Sequence, residues 1–285
     1  MSEAERQRIT GIRAQLKAAV SVPEDQVDLA RAALLIAQEQ YPNLDIPAYL
    51  KRLDELASAA GDAVGETPVS DYDVLIRSAH RFLFAEAGFS GNAANYYDAR
   101  NSFLNDVIDR RTGIPITLAI VYMEIAKRRQ WPVVPVGFPG HFLVKWEIEE
   151  REIIVDPFHG VILSDEDCRE LLKRVSEGRM EFDPALLSTL PSNKILSRIL
   201  TNLKVVWMHQ GDFMKSITAC DRILLIDPEA HSELRDRGLL WAQLDCHRPA
   251  LIDLEQYVER VPDAVNVPAV MNQLTKLRRM VEQIS

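Results

Sequence analysis

The last 95 residues contain an internal repeat with a period of 34 residues, and this repeat restricts how that part of the chain can fold. Segment 197–230 aligns with segment 231–264. Small residues, Ser216 and Ala250, occupy the same place in both copies, where they allow two helices to pack closely. The other matched positions are Trp207 with Trp241, Asp227-Pro228 with Val261-Pro262, and Ala230 with Ala264. The period predicts stacked helical pairs, followed by a capping helix over Val270–Ile284.

The distribution of glycine separates the rest of the chain into helical flanks and a middle segment rich in turns. Of 12 glycines, six lie between residues 88 and 160, and glycine favours turns and close backbone approach. In the first 88 residues, one helix is predicted to begin with the capping pattern at Ser21–Glu24. A second begins near Asp45 and ends at Gly61, and a third carries Val74–Leu83. A surface loop is predicted over 63–70.

The middle segment changes from helical periodicity to the alternation expected of strands. Helices are predicted from Asn101 to Arg111 and from Leu118 to Arg128. After Trp131, apolar and polar residues alternate, which is typical of half-buried strands. The predicted strands are Val133–Phe138, His141–Ile148 and Ile153–Val155, and a capped helix follows at Ser164–Val175.

The hairpin predicted around the polar run 147–152 brings two candidate functional side chains to one face. If the hairpin centre lies near residue 148.5, His141 and Asp156 lie opposite each other with Cβ atoms roughly 4.5–5.5 Å apart. A register shifted by two residues makes them diagonal neighbours on the same face, whereas a shift by one residue separates them across the sheet. The sequence therefore predicts a His–Asp pair whose contact depends on the register of this hairpin.

Charge and hydropathy exclude several classes of function. The net charge is −9, and residues 191–285 carry 12 basic and 12 acidic side chains, so the whole excess lies in residues 1–190. Neither part is basic, and we therefore expect no nucleic-acid partner and no anionic membrane partner. No apolar run is long enough for a transmembrane helix, and the N-terminus lacks the apolar core of a secretory signal. We expect a cytoplasmic protein.

A set of short motifs identifies a family resemblance. The motifs are GFSGN at 88–92, NSFLNDVIDRR at 101–111, GIPITLA at 113–119, GFPGHF at 137–142 and VDPF at 155–158. Together they resemble the transglutaminase-like superfamily in the version found in bacterial SirB-type proteins. The repeat, with GDFMKSITACDRILLIDPEA as its better copy, resembles the tetratricopeptide repeat.

The resemblance implies an α+β fold in two parts. Residues 1–190 are expected to form a transglutaminase-like domain, mainly helical at its N-terminus, with a small antiparallel sheet of transglutaminase/papain-like type. Residues 191–285 are expected to form an all-α tetratricopeptide-like segment. Two repeats and a capping helix bury little surface alone, so this segment is expected to dock on the main domain.

The resemblance also implies a catalytic triad, of which two members are present. In active members a Cys begins a buried helix, and a His and an Asp follow on adjacent strands. His141 and Asp156 match the His and Asp positions. The first turn of the matching helix holds Pro115, Ile116 and Thr117, and no Cys. Thr117 is the nucleophile-type side chain in that turn, and its alternative role is to cap the helix.

The three cysteines of the chain lie elsewhere. Cys168 follows Asp156, which is the wrong chain order for the triad, and Cys220 and Cys246 belong to the repeat segment. Three scattered cysteines are too few for a disulfide framework or a zinc site. Free cysteines commonly pack as small buried hydrophobes, and we interpret all three as reduced thiols of this kind.

Four further polar residues are candidates for binding. Asn101, Arg110 and Arg111 match polar positions of the family pattern, where they would border the cleft and bind an anionic group. Their alternative roles are a helix cap for Asn101 and ion pairs with acidic neighbours for the arginines. His159 is predicted to line the same region as the His–Asp pair. The sequence spacing of these histidines matches no recognised metal motif, so no metal and no cofactor are predicted.

Three functions remain open from the sequence. The missing Cys favours a non-enzymatic or catalytically degenerate transglutaminase-like protein that acts as a binding or scaffold module, with a protein or peptide partner at the repeats. The second is an acyl-transfer or amide-hydrolysing enzyme that uses Thr117 with His141 and Asp156. The third is a regulatory protein that acts through protein partners.

Overall fold

The computed structural model describes residues 2–65, 72–148 and 151–284. The chain divides into two units between Ile195 and Leu196. The predicted loop over 63–70 and the predicted hairpin connection over 147–152 lie partly outside the described residues.

Helices make up most of the first unit, and capping side chains set where several of them begin. The carboxylates of Asp28 and Asp45 each accept a hydrogen bond from a backbone N–H in the first turn of the following helix. The predicted helix start at Ser21 is wrong, because Ser21 ends the first helix and Asp28 caps the second. The helices that lie within the first unit are α1 (Glu3–Val20), α2 (Leu29–Gln38), α3 (Ile46–Val64), α4 (Tyr72–Arg81), α5 (Leu104–Arg110), α6 (Pro115–Arg128) and α7 (Asp165–Val175).

A small antiparallel sheet lies between α6 and α7 in the chain. The strands are β1 (Ser90–Gly91), β2 (Thr112–Gly113), β3 (Val133–Val136), β4 (Leu143–Ile148), β5 (Arg151–Asp156) and β6 (Val161–Leu163). The sheet has the order β3-β4-β5-β6, which follows the sequence, and β1 and β2 form a separate parallel pair. With the all-helical segment that follows, this confirms the predicted α+β fold class.

Helix α6 is the buried centre of the first unit and holds the sheet in place. Every residue of α6 from Pro115 to Ala126 is buried. Trp146 of β4 is fully buried, and its indole N–H donates a hydrogen bond of 2.9 Å to the hydroxyl of Tyr122 on α6. Burial of two aromatic rings with their polar atoms paired fixes the position of β4 against this helix. On the other face of β4, Leu143 packs in a cluster with residues of α7.

The second unit consists of helical pairs, as the repeat predicts. Its helices are α8 (Ser192–His209), which crosses the boundary between the units, α9 (Phe213–Ile226), α10 (Ser232–Gln243), α11 (His247–Arg260) and α12 (Val267–Ile284). A buried ammonium, Lys204 on α8, bonds Glu233 and Asp236 on α10 at 2.7 and 2.8 Å. Ala250 and Leu254 of α11 are fully buried against α10 and α12. No helix that the structure describes combines the length and the apolar character needed to span a bilayer.

Alanine should destabilise the protein at Gly238, where α10 packs closely on α11, and should stabilise it at the exposed Gly11 of α1. A Cβ at Gly238 would lie 2.7 Å from Leu254 Cγ and 3.2 Å from the Ala250 carbonyl oxygen, whereas a Cβ at Gly11 would meet no atom within 4 Å. Gly238→Ala should lower the free energy of unfolding by about 1–3 kcal/mol through overpacking. Gly11→Ala, in the exposed interior of α1, should raise it by about 0.5–1 kcal/mol. Urea unfolding of both variants measures this, and a Gly238→Ala variant as stable as the wild type would contradict the packing described.

Candidate functional site

The carboxylate of Asp156 lies at the centre of the site. Asp156 ends β5, and its Oδ1 accepts hydrogen bonds from the backbone N–H groups of Phe158 and His159 at 2.9 and 3.3 Å. The same turn is closed by the N–H of Gly160, which donates to the Asp156 carbonyl at 2.9 Å. Gly160 has a φ of +63°, a conformation that favours glycine. The carboxylate is therefore held in position by the backbone of its own turn.

Two imidazole rings contact this carboxylate. One belongs to a residue that precedes Asp156 in the chain, and the other to a residue that follows it. His141 Nε2 lies 3.0 Å from Asp156 Oδ1, and His159 Nδ1 lies 2.6 Å from Oδ2. The two rings stack with their centroids 5.9 Å apart. The structure thus brings three of the predicted site residues into one cluster, which we call the His–Asp–His cluster (His141, Asp156 and His159).

The register of the hairpin between β4 and β5 differs from the predicted one. Val144 pairs with Val155, a register shifted by two from the one that places His141 opposite Asp156. The predicted opposite pairing is therefore wrong, because β4 begins at Leu143 and His141 lies in the turn that precedes it. His141 contacts Asp156 from that turn, with its Nε2 3.0 Å from Asp156 Oδ1.

Exposure differs sharply within the cluster. The side chains of His141 and Asp156 are only 8% and 2% exposed, whereas that of His159 is 48% exposed. His159 and Asp156 line a cleft of about 240 Å³, whose opposite wall is formed by α7 with Asp167, Glu170 and Arg174. The cluster is thus buried on the His141 side and open to solvent on the His159 side.

The acidity of Asp156 follows from two opposing effects. Burial raises the pKa of Asp156, but hydrogen bonds and charge interactions with His141 and His159 outweigh it and lower the pKa to about 2. Asp156 is therefore ionised at neutral pH and can only accept hydrogen bonds. It follows that His159 carries its proton on Nδ1 where it faces this carboxylate.

Thr117 belongs to a separate hydrogen-bonded cluster around Asn101. The Thr117 side chain is fully buried. Its hydroxyl donates to the Asn101 carbonyl at 2.7 Å and accepts from the backbone N–H of Ile114 at 3.2 Å. Within the part of the chain that the structure describes, these two residues are its hydrogen-bond partners. The hydroxyl thus joins the start of α6 to the segment before α5.

Asn101 organises the loop that precedes α5. Its side-chain amide donates to the carbonyls of Asn95 and Tyr96 at 2.8 and 3.2 Å, and its Oδ1 accepts from Asn92 and Arg110 at 3.1 and 3.4 Å. The predicted helix start at Asn101 is wrong, because Asn101 ends a short 3₁₀ turn and α5 begins at Leu104. The amide satisfies backbone carbonyls of its loop, which a helix-capping side chain does not do.

The two arginines after α5 differ in their surroundings. The Arg110 guanidinium lies near Asn101 and is 3.7 Å from the Asp98 carboxylate. Arg111 adopts a left-handed backbone conformation with a φ of 56°, and its guanidinium lies over the ring of Phe89 at 4.7 Å. Burial lowers the pKa of Arg111. The structure therefore places Arg110 in the Asn101 cluster and Arg111 on an aromatic ring.

Phe158 joins the two clusters, and sequence reasoning missed it. The Gly91 N–H donates to the Phe158 carbonyl at 3.1 Å, and a Cβ at Gly91 would lie 2.5 Å from the Phe158 ring. The same ring contacts His141 and Tyr96 edge to face, with centroids 6.2 and 6.0 Å apart. The signal was present in the motifs, since Gly91 lies in GFSGN and Phe158 in VDPF.

The cysteines lie outside both clusters. Cys168 of α7 is fully buried in the apolar cluster beside β4, and burial raises the pKa of its thiol to about 11. Cys220 is buried within the second unit, where burial also raises its pKa. Cys246 is half-buried at the start of α11. A thiol with a raised pKa is a poor nucleophile at neutral pH.

Family models match most of the chain after residue 46. Residues 47–201 match the transglutaminase-like superfamily, and residues 203–275 match a tetratricopeptide repeat. No solved structure matches the chain significantly.

Similar proteins occur in several bacteria. The chain is 37% identical to a UPF0162 protein of Xylella fastidiosa over 261 residues, which cover 90% of this chain and 92% of the relative. A UPF0162 protein of Pseudomonas aeruginosa is 31% identical, with 80% and 83% covered. Protein SirB1 of Salmonella typhimurium is 27% identical, with 81% and 86% covered.

The low pKa of Asp156 predicts how substitution of this residue affects stability. A carboxyl whose pKa is lower in the folded than in the unfolded chain stabilises the fold above the unfolded pKa, and this contribution disappears as the pH falls through the folded pKa. Asp156→Asn should therefore cost about 2 kcal/mol of unfolding free energy at pH 7, and about half as much at pH 3. Urea unfolding at both pH values measures the difference.

The control is Glu181→Gln, which removes one carboxylate at an exposed position. It should change the unfolding free energy by less than about 0.5 kcal/mol at either pH. An Asp156→Asn variant whose cost is the same at pH 3 as at pH 7 would show that the interactions of the carboxylate are not the cause.

Proposed function

We propose that this chain, which belongs to the transglutaminase-like superfamily, is a binding and scaffold module that lacks the nucleophilic chemistry of its active relatives. The observation that carries the proposal is the state of Thr117. A threonine that acts as a nucleophile needs a hydroxyl that faces both a base and the substrate. The Thr117 hydroxyl is fully buried and is bonded to Asn101 and Ile114 instead.

The His–Asp pair supports the same proposal. The family resemblance implies a base at His141 and an orienting carboxylate at Asp156, yet the first turn of α6 contains no thiol for them to activate. Each cysteine lies in another element, and burial suppresses ionisation of Cys168. Asp156 and His159, which line the cleft, would then orient a bound ligand group rather than help to activate a nucleophile.

The repeat unit supplies a surface for a protein or peptide partner. Tetratricopeptide repeats generally bind other proteins. A cleft of about 680 Å³ in this unit is lined by Met208, Phe213, Leu239 and polar residues of α10. Met208 and Leu239 are 45% and 39% exposed, which leaves apolar surface for a partner to cover. The partner is a protein, rather than nucleic acid or a membrane, because residues 191–285 carry 12 basic and 12 acidic side chains and therefore no basic excess.

The scaffold role also fits a regulatory function exerted through protein partners and a cytoplasmic location. The cysteines of the chain are free thiols, which is the state that a reducing compartment maintains.

A fluorophosphonate probe, which phosphonylates activated hydroxyl nucleophiles with loss of fluoride, tests the absence of nucleophilic chemistry. The native full-length protein should show no modification by intact-mass measurement, while a serine hydrolase treated in parallel is modified fully. Modification of Thr117 that disappears in a His141→Ala variant would establish the acyl-transfer alternative and end the proposal.

Two exposed apolar residues test the binding role of the repeat unit. Leu239→Glu introduces a charge into the cleft, whereas Ile252→Glu introduces the same charge on α11 at a side chain that is 57% exposed and is not among the residues lining the cleft. In cross-linking and affinity capture from the native bacterium with the full chain, a specific partner should be lost with Leu239→Glu and kept with Ile252→Glu. Equal recovery of the same proteins by both variants would exclude this cleft as the docking surface.

A further inference from the structure

Three side chains with metal-ligating atoms converge in the His–Asp–His cluster. One nitrogen of each imidazole and one carboxylate oxygen all lie within 4.8 Å of one another. We propose that His141, Asp156 and His159 form a binding site for a divalent first-row transition-metal ion of the zinc or cobalt class. The proposal does not depend on the binding and scaffold role, and it differs from the absence of a metal that the sequence spacing predicts.

The distances suit one shared ion. Two ligand atoms bound tetrahedrally to one zinc ion at about 2.1 Å lie about 3.4 Å apart. His141 Nε2 is 3.0 Å from Asp156 Oδ1, and His159 Nδ1 is 2.6 Å from Asp156 Oδ2. Both distances are shorter than this spacing, so binding requires each ring to move away from the carboxylate by less than about 1 Å.

The donor set selects the class of metal. Imidazole nitrogen suits zinc, cobalt, nickel, copper and iron, whereas magnesium and calcium are held by oxygen ligands. With two nitrogen donors in the cluster, the site discriminates against magnesium and calcium.

The ligands are held by the fold before any ion binds. Asp156 Oδ1 accepts two backbone N–H groups of its own turn, and His80 Nε2 lies 2.9 Å from the Gly160 carbonyl oxygen at the end of that turn. The His141 ring packs edge to face against Phe158. Rigid supports of this kind orient metal ligands and strengthen binding.

The surroundings favour a cation and leave one side open. The cleft beside His159 is lined by three carboxylates, those of Asp156, Asp167 and Glu170, and by the single guanidinium of Arg174. Their summed charge is negative. Three protein ligands with an open side towards solvent leave coordination positions for water or for a ligand group.

Binding needs only a redistribution of protons. Each imidazole binds the ion as a neutral ring through the nitrogen that faces Asp156, and carries its proton on the other nitrogen. The carboxylate then contacts the ion in place of the two imidazoles.

Cobalt titration of the full-length protein tests the site, since Co²⁺ absorbs visible light strongly when protein ligands replace its water. After chelator treatment and removal of the chelator, the wild type should bind about one Co²⁺ per chain. Zinc should displace the cobalt, and magnesium in excess should not.

Two matched substitutions locate the ion. His159→Ala removes the exposed ligand, which leaves the buried part of the cluster in place, and should weaken Co²⁺ binding at least ~100-fold. His209→Ala, at an exposed histidine of α8 in the second unit, should bind as the wild type does. Circular dichroism confirms that both variants are folded.

Three results would overturn the proposal. They are a wild type that binds no Co²⁺ up to about 1 mM, a folded His159→Ala variant that binds Co²⁺ as the wild type does, and a His209→Ala variant that loses binding to the same extent as His159→Ala.

Discussion

The ionised carboxylate of Asp156 is the interaction on which the site depends. It receives backbone N–H groups from its own turn and imidazole rings from two segments of the chain. Without it, His141 would lose its buried partner and the turn after β5 would lose two of its hydrogen bonds. A buried charge of this kind is stable only when its partners are in place, so the cluster forms as a unit with the sheet.

Much of the fold follows from the sequence, because its local signals agree with the packing. The repeat predicts the helical pairs of the second unit, and the apolar run after Gly113 predicts the buried helix α6. The errors fall where two local signals compete. Ser21 looks like the start of a helix, yet it ends α1, and the next helix begins after Asp28, whose carboxylate caps it.

The site was less predictable, because it depends on register and on contacts between distant segments. The hairpin pattern places His141 and Asp156 on one face but does not fix the register, which is shifted by two residues from the opposite pairing. The position of Thr117 at the start of α6 is readable from the sequence. Its bond to the Asn101 carbonyl is not, because that contact joins residues 16 positions apart through tertiary packing.

The central claim, that Asp156 organises both imidazoles, is tested most directly by ¹⁵N NMR of the full-length protein labelled in its histidine side chains. In chelator-treated, metal-free protein at a pH where the rings are neutral, His159 should carry its proton on Nδ1, facing the carboxylate. This preference should disappear in Asp156→Asn. A His159 ring protonated on Nε2 in the wild type, with the same spectrum in the variant, would contradict the account.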